Sequence, residues 1–232
     1  MKPHVLMVVT SHGEMGPGKQ TGVWLSEFAE AYELFREEGF RITVASPRGG
    51  SVPIDPRSLT GETRDKWPAA LEALRQTVPI DEVDGSDVDA LFLPGGHGTM
   101  FDFPENAALQ ALLRSLAERG QVIGAVCHGP AGLAGVTLSD GRPLVAGRKV
   151  TGFTNEEERS TGLDSLMPFL LESRLRELGA EFVVAPKWAD HVEVDGNLIT
   201  GQNPQSTVSA ARAVISALKG AARAQESSGQ TA

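Results

Sequence analysis

A single cysteine stands among 232 residues, so no internal disulfide can form and no cysteine-rich zinc cage can be assembled. Positive charge is also scarce. Against 21 lysines and arginines there are 30 acids, for a formal charge of -9 and a pI near 5.1. Such a surface repels phosphate backbones and anionic lipid heads, which argues against nucleic acid and membrane surfaces as partners. Long apolar runs are missing, and none approaches the roughly 18 to 20 residues of a membrane span. The apolar stretch at residues 5–10 breaks into Ser11, His12 and Gly13, too early for a secretory segment, and reads as a first strand. These absences lead us to expect a cytoplasmic protein. Neither an internal repeat nor a low-complexity block interrupts the chain.

What is present is enough apolar material, 41% of the residues, for one substantial core. Short apolar or β-branched runs at residues 5–9, 42–45, 90–93, 122–126 and 182–185 alternate with stretches of helical period at 22–38, 105–119, 129–134, 165–178 and 204–221. That alternation predicts an α/β fold, a mostly parallel central sheet with helices on both faces. The Asp195-Gly196 pair within residues 192–199 signals an appended β-hairpin, and residues 149–151 suggest a further short strand. Residues 48–67 show no period and form a long connection, of the kind that often builds a lid or a site wall. We expect one domain over residues 1–220 and a flexible tail over 221–232, where no large apolar side chain occurs.

Three segments carry chemistry. In Gln121-Val-Ile-Gly-Ala-Val-Cys127-His128-Gly129-Pro130 an apolar strand runs straight into the cysteine, with small residues two before (Ala125) and two after (Gly129). This is the layout of a nucleophile elbow, in which a strained turn exposes the side chain at the carboxyl end of the sheet. A lone cysteine is otherwise most often a small buried hydrophobe; the adjacent imidazole and the helix expected to start at 129 favour the reactive reading, with the helix N-terminus lowering the thiol pKa. The second segment, Leu91-Phe-Leu-Pro94-Gly95-Gly96-His97-Gly98, ends another strand in glycines. There the backbone can approach a substrate closely, and the Gly96 N–H can join that of His128 in an oxyanion hole. The third is Glu27, which at 100° per residue falls within about 40° of the centre of the apolar stripe of its helix. A carboxyl there should carry a raised pKa and share its proton with a thiolate, as a general acid/base. His4, His12, His97 and His191 lie far apart in sequence without ligand spacing, so no metal site is expected. The pair His191 and Glu193 precedes the hairpin and is read as non-catalytic.

These segments, with Lys19-Gln-Thr-Gly-Val-Trp-Leu-Ser-Glu27, Val150-Thr-Gly-Phe-Thr-Asn155 and Thr200-Gly-Gln-Asn-Pro-Gln-Ser206, resemble the DJ/PfpI superfamily, relatives of the class I glutamine amidotransferase domain. Within it they resemble the branch of heat-shock chaperones that act as glyoxalase III. The resemblance covers nearly the whole chain and implies a flavodoxin-like three-layer sandwich. It implies Cys127 as nucleophile, His128 as its partner and Glu27 as the buried acid. A triad acid would follow Thr-Gly-Phe-Thr, at Glu158 by counting, with Glu156 and Glu157 as alternatives in the same run; Gly95 and Gly96 would bind substrate. The implied reaction converts methylglyoxal to lactate without glutathione, metal or organic cofactor, through a hemithioacetal and an enediol. A cysteine hydrolase or peptidase, a protein deglycase and a holding chaperone are the alternatives. The partner would be a small reactive aldehyde, and the assembly, by analogy, a homodimer.

Overall fold

The structure is a computed structural model that describes residues 2–229. Its strands are β1 (His4–Val8), β2 (Arg41–Ser46), β3 (Val78–Pro79), β4 (Ala90–Leu93), β5 (Val122–Val126), β6 (Lys149–Val150), β7 (Glu181–Phe182), β8 (Val192–Asp195) and β9 (Leu198–Gly201). The helices are α1 (Leu25–Glu37), α2 (Gly61–Lys66), α3 (Pro68–Ala73), α4 (Thr99–Asp102), α5 (Ala107–Glu118), α6 (Asn155–Thr161), α7 (Leu171–Glu177) and α8 (Thr207–Gly229). Seven strands make the main sheet in the order β3-β2-β1-β4-β5-β9-β8. All neighbours are parallel except β8, which pairs antiparallel with β9.

Every residue of β1, β4 and β5 is buried, as expected of parallel strands covered on both faces, and this is why their sequences are continuous apolar runs. The connection from β1 through α1 steps to β2 on one side, and that from β4 through α5 steps to β5 on the other. Right-handed crossovers therefore set α1 and α5 on opposite faces. Phe28 and Phe35 of α1 are wholly buried, Phe35 edge-on to Phe92 of β4 at 5.6 Å, and each such ring contributes on the order of 2 kcal/mol to the packing. The strand order reverses between β1 and β4, and the carboxyl ends beside such a reversal are where open α/β sheets bind ligands. The segments bearing Glu27, Gly95 to His97 and Cys127 leave these ends.

Several boundaries differ from the sequence reading. Residues 182–185 do not join the main sheet: Glu181–Phe182 pairs with Lys149–Val150 in a separate two-stranded sheet. The hairpin is not merely appended, since β9 extends the parallel sheet beside β5. Residues 22–24 are extended, with Val23 bridging Ile54, because the Trp24 N–H is committed to the Gly95 carbonyl at 3.1 Å. The stretch 165–178 divides at Pro168 into a 3-10 turn (Asp164–Leu166) and α7, as proline requires. The stretch 129–134 is one 3-10 turn, Gly129–Gly132. At the other end α8 runs to Gly229, so the expected tail overlaps it, and residues 230–232 lie outside the described ones.

Candidate active site

Cys127 sits in the left-handed region at φ 61°, a conformation that costs a non-glycine residue on the order of 1 kcal/mol or more. It is clamped there from both sides. Its N–H donates to the Gly201 carbonyl (3.0 Å) and its carbonyl accepts from the Phe153 N–H (2.8 Å). A Cβ on Gly129 would lie 2.1 Å from the Leu93 carbonyl oxygen, so the turn closes only because position 129 is glycine. Cys127 thus stands in the turn at the tip of β5, where the sequence pattern put it.

His128 stacks behind it, with Nδ1 3.4 Å from Cys127 Sγ and Nε2 2.5 Å from Glu158 Oε2. Of the three consecutive acids, Glu158 is the one that meets the imidazole. Glu156 is exposed on the surface. Glu157 is buried elsewhere: Oε1 accepts from the Trp188 N–H and from the side-chain amides of Gln202 and Asn203, while Oε2 caps α6 through Thr154. Burial alone would raise the Glu158 carboxyl, but the His128 charge and the bonds from both His128 and His97 outweigh it and hold it well below the usual carboxylate range.

Glu27 occupies the first turn of α1, whose start is fixed by Leu25 N–H donating to Ser58 Oγ (3.0 Å). Its side chain is wholly buried, and Oε2 accepts from the Gly95 N–H at 2.6 Å. Oε1 has no hydrogen-bond partner among the described residues, and the carboxyl lies beside the Cys127 side chain. Burial pushes its pKa from 4.5 up to about 8, so at neutral pH it carries its proton, as the amphipathic pattern implied.

The thiol itself moves opposite to expectation. Burial, and then the charge that Glu27 would carry if ionised, raise Cys127 well above the ordinary value. The helix that was to lower it is a single 3-10 turn of four residues, too short to present a full macrodipole. Cys127 is therefore a protonated thiol at rest, and His128 Nδ1 is the nitrogen that faces it. The Gly96 and His128 amide groups have no backbone acceptor among the described residues. Gly96 lies at φ 107° with the space for a Cβ filled by the Gly22 carbonyl at 2.1 Å.

The sequence did not disclose the rest of the site. A cavity of about 80 Å³ at Cys127 is lined by Trp24, Phe153 and Trp188 and also by Arg57 and His97. Trp188 also has a left-handed backbone, φ 65°, stabilised by its N–H to Glu157 (2.8 Å) and by its ring packing 5.7 Å from Phe153. Arg57 comes from the long unpatterned connection and forms a two-pronged bond with buried Asp55 (2.9 and 2.6 Å). His191 Nε2 lies 3.0 Å from Glu193 Oε1, and neither residue lines this cavity.

Of the four histidines dispersed in the sequence, His97 is brought beside His128 and Glu158. The atoms of His97, His128 and Glu158 that could bind a metal lie within 4.8 Å of one another, because the carboxyl edge of the sheet gathers loops distant in sequence. These groups hydrogen-bond directly, at 2.7 Å for His97 and 2.5 Å for His128. Those separations are shorter than the roughly 3 Å or more that two ligand atoms on one zinc ion keep.

The sequence profile described as the DJ-1/PfpI family matches residues 20–217. The chain belongs to that family. Among its relatives is the glutathione-independent glyoxalase HSP31 of Saccharomyces cerevisiae, 34% identical over 93% of this chain and 98% of that one. The crystal structure of glyoxalase III from Candida albicans matches with a TM-score of 0.86 at 32% identity, over 93% of this chain and 97% of that one. That of Rapid Encystment Protein 24 kDa from Francisella tularensis matches with a TM-score of 0.89 at 39% identity, over 94% and 99%. The family's seven-stranded, mostly parallel single domain is the architecture described above.

Proposed function

We propose that the chain is a glutathione-independent glyoxalase that turns methylglyoxal into lactate. The observation that carries this reading is the relay from Cys127 Sγ through His128 Nδ1 and Nε2 to Glu158, set beside the protonated Glu27 in a cavity of about 80 Å³. The names of the yeast relative and of the Candida structure support it.

His128 Nδ1 takes the thiol proton as sulfur attacks the aldehyde carbon, and the new oxyanion, stabilised by the Gly96 and His128 N–H groups, is then protonated by Nδ1, which returns the imidazole to its neutral form. In the resulting hemithioacetal the former aldehyde carbon still bears hydrogen. Its removal gives an enediol, and return of a proton to the neighbouring carbon gives the lactoyl thioester, with no net change of oxidation state. His128 Nδ1, free because Nε2 is tied to Glu158, moves this proton, and Glu27 serves as the acid at the oxygens. Water then opens the thioester and restores the thiol. No cofactor takes part in any of these steps.

The small aromatic-walled cavity favours a three-carbon aldehyde over a peptide or a glycated side chain. With this reading go a cytoplasmic location, where reducing conditions keep a lone thiol free, and a homodimer, which rests on analogy alone. Among the described residues no helix is long and apolar enough to cross a membrane. NMR of methylglyoxal incubated with enzyme should show stoichiometric lactate from the wild type and none from Cys127→Ala. Absence of lactate with the wild type refutes the assignment.

A further inference from the structure

Behind the relay stands a second imidazole that the reaction above does not use. His97 is 4% exposed, and both of its ring nitrogens are spent inside the site. Nε2 lies 2.7 Å from Glu158 Oε1, and Nδ1 lies 3.1 Å from Arg57 Nη2. A guanidinium only donates, so Nδ1 must accept, the proton must be on Nε2, and Nε2–H must donate to Glu158. Arg57 cannot swing away from this duty, because Asp55 holds its Nε and Nη2, and Asp55 is itself fixed by Thr21 Oγ1 at 3.0 Å.

We propose that His97, locked in one tautomer by Arg57, is a positioning residue that fixes Glu158 so that His128 presents Nδ1 to the sulfur. The inference rests on the glyoxalase reading for its kinetic consequences but not for its geometry. Each Glu158 oxygen takes one imidazole N–H, which sets the plane of the carboxylate. His128 Nε2–H is thereby committed, and Nδ1 is the only nitrogen left for the thiol. Without His97, Oε1 keeps only Thr161 Oγ1, at 3.3 Å, and the buried carboxylate is free to rotate toward other donors. The two imidazoles are also made unequal. Burial, then the proximity of His128, push His97 down to about 4, so it stays neutral while its neighbour exchanges protons.

The ionisable groups facing this network are His97 from the turn after β4, Cys127 from the turn after β5, Arg57 with Asp55 from the long connection, Glu27 from α1, and Glu157 beside Glu158 on α6. Of these, His97 and Arg57 bear on the Glu158 carboxylate, directly and through one hydrogen bond, without belonging to the relay or being the buried acid. An imidazole paired with a carboxylate that has lost a donor keeps its proton to higher pH, by about one unit per charge-assisted hydrogen bond.

The test combines kinetics on the full chain with nitrogen NMR of the imidazoles. In His97→Phe, which keeps a ring and loses the donor, kcat for lactate formation should fall tenfold or more with KM little changed. The acid limb of kcat/KM should move about one unit to higher pH. His97→Gln, which can still offer an N–H to Oε1, should restore kcat to within a few-fold of wild type and return the limb to its place. A His97→Phe enzyme with an unmoved pH profile, or a Gln variant as impaired as the Phe variant, overturns the proposal. The nitrogen spectrum of the wild type must show His97 as the Nε2–H tautomer, and Arg57→Met must admit the other; an Nδ1–H ring in the wild type overturns the proposal even if His97→Phe does not fold. The spectrum requires no turnover, so its failure is distinct from a failure to make lactate.

Discussion

Replacing Glu27 with Gln should remove most of the alkaline loss of folding stability. The wild-type carboxyl is wholly buried and titrates near 8 instead of 4.5. The folded state therefore holds the proton more tightly than the unfolded state does. The stability this contributes is fully present below the unfolded value, declines by about 1.4 kcal/mol per pH unit above it, and is exhausted as pH passes through 8. The full span amounts to about 5 kcal/mol, of which about 3 kcal/mol is already lost at pH 7. These figures are comparable to the net stability of many domains.

Gln is nearly isosteric and does not titrate. Its oxygen can accept the Gly95 N–H as Oε2 does now, and its amide can take the place of Oε1. Urea unfolding of both proteins at pH 5 and pH 8.5 isolates the effect, since every other group titrates in both. The wild type should lose about 4 kcal/mol more than Glu27→Gln over that interval. Parallel pH slopes, agreeing within about 1 kcal/mol, would refute the buried protonated acid and with it the role of Glu27 as proton donor.

Two further outcomes follow from the elbow and the cavity wall. Gly129→Ala forces a Cβ to 2.1 Å from the Leu93 carbonyl oxygen and should destabilise the fold by about 1 to 3 kcal/mol, read as a lower thermal midpoint, with Cys127 displaced and lactate formation reduced in the remaining folded protein. Trp188→Gly keeps the left-handed backbone at φ 65° while removing a wall of the cavity; kcat/KM for phenylglyoxal relative to methylglyoxal should rise about tenfold, and an unchanged ratio would show that Trp188 does not limit substrate size.

The strands that place the chemistry were legible because they are buried on both faces: β4 and β5 match their apolar runs at both ends, and β1 is displaced by one residue. The elbow was legible for a local reason, since crowding at a strand-to-helix turn dictates small residues two positions either side of Cys127. Glu27 stood out because one charged side chain on an apolar stripe breaks a period. The register of the triad acid had no such signal. Glu156, Glu157 and Glu158 differ only by rotation about α6, and that rotation is fixed by Thr154, Gln202 and Asn203 gripping Glu157. Arg57, Asp55 and Trp188 were invisible for the complementary reason: each comes from a loop without periodicity and, like His97, acquires its role only when the sheet edge brings it to Cys127. The expected thiolate is not found because a turn of four residues carries too little dipole to offset the cost of burying the charge.

The two buried carboxyls of the site divide acid from base by their donors. Burial is the largest influence on each and drives both upward, so it cannot by itself explain why Glu27 ends near 8 while Glu158 ends far below its ordinary range. Glu27 receives one backbone N–H and faces a thiol that is neutral at rest. Glu158 receives an N–H from each of two imidazoles, with the Arg57 guanidinium behind one of them. Removing water makes each hydrogen bond count for more, and the carboxyl with more donors becomes the fixed anion while the other keeps a proton it can release. Driving the values of two groups apart in this way assigns catalytic roles to them. His128 is the larger influence on Glu158, and His97, held by Arg57, is the second.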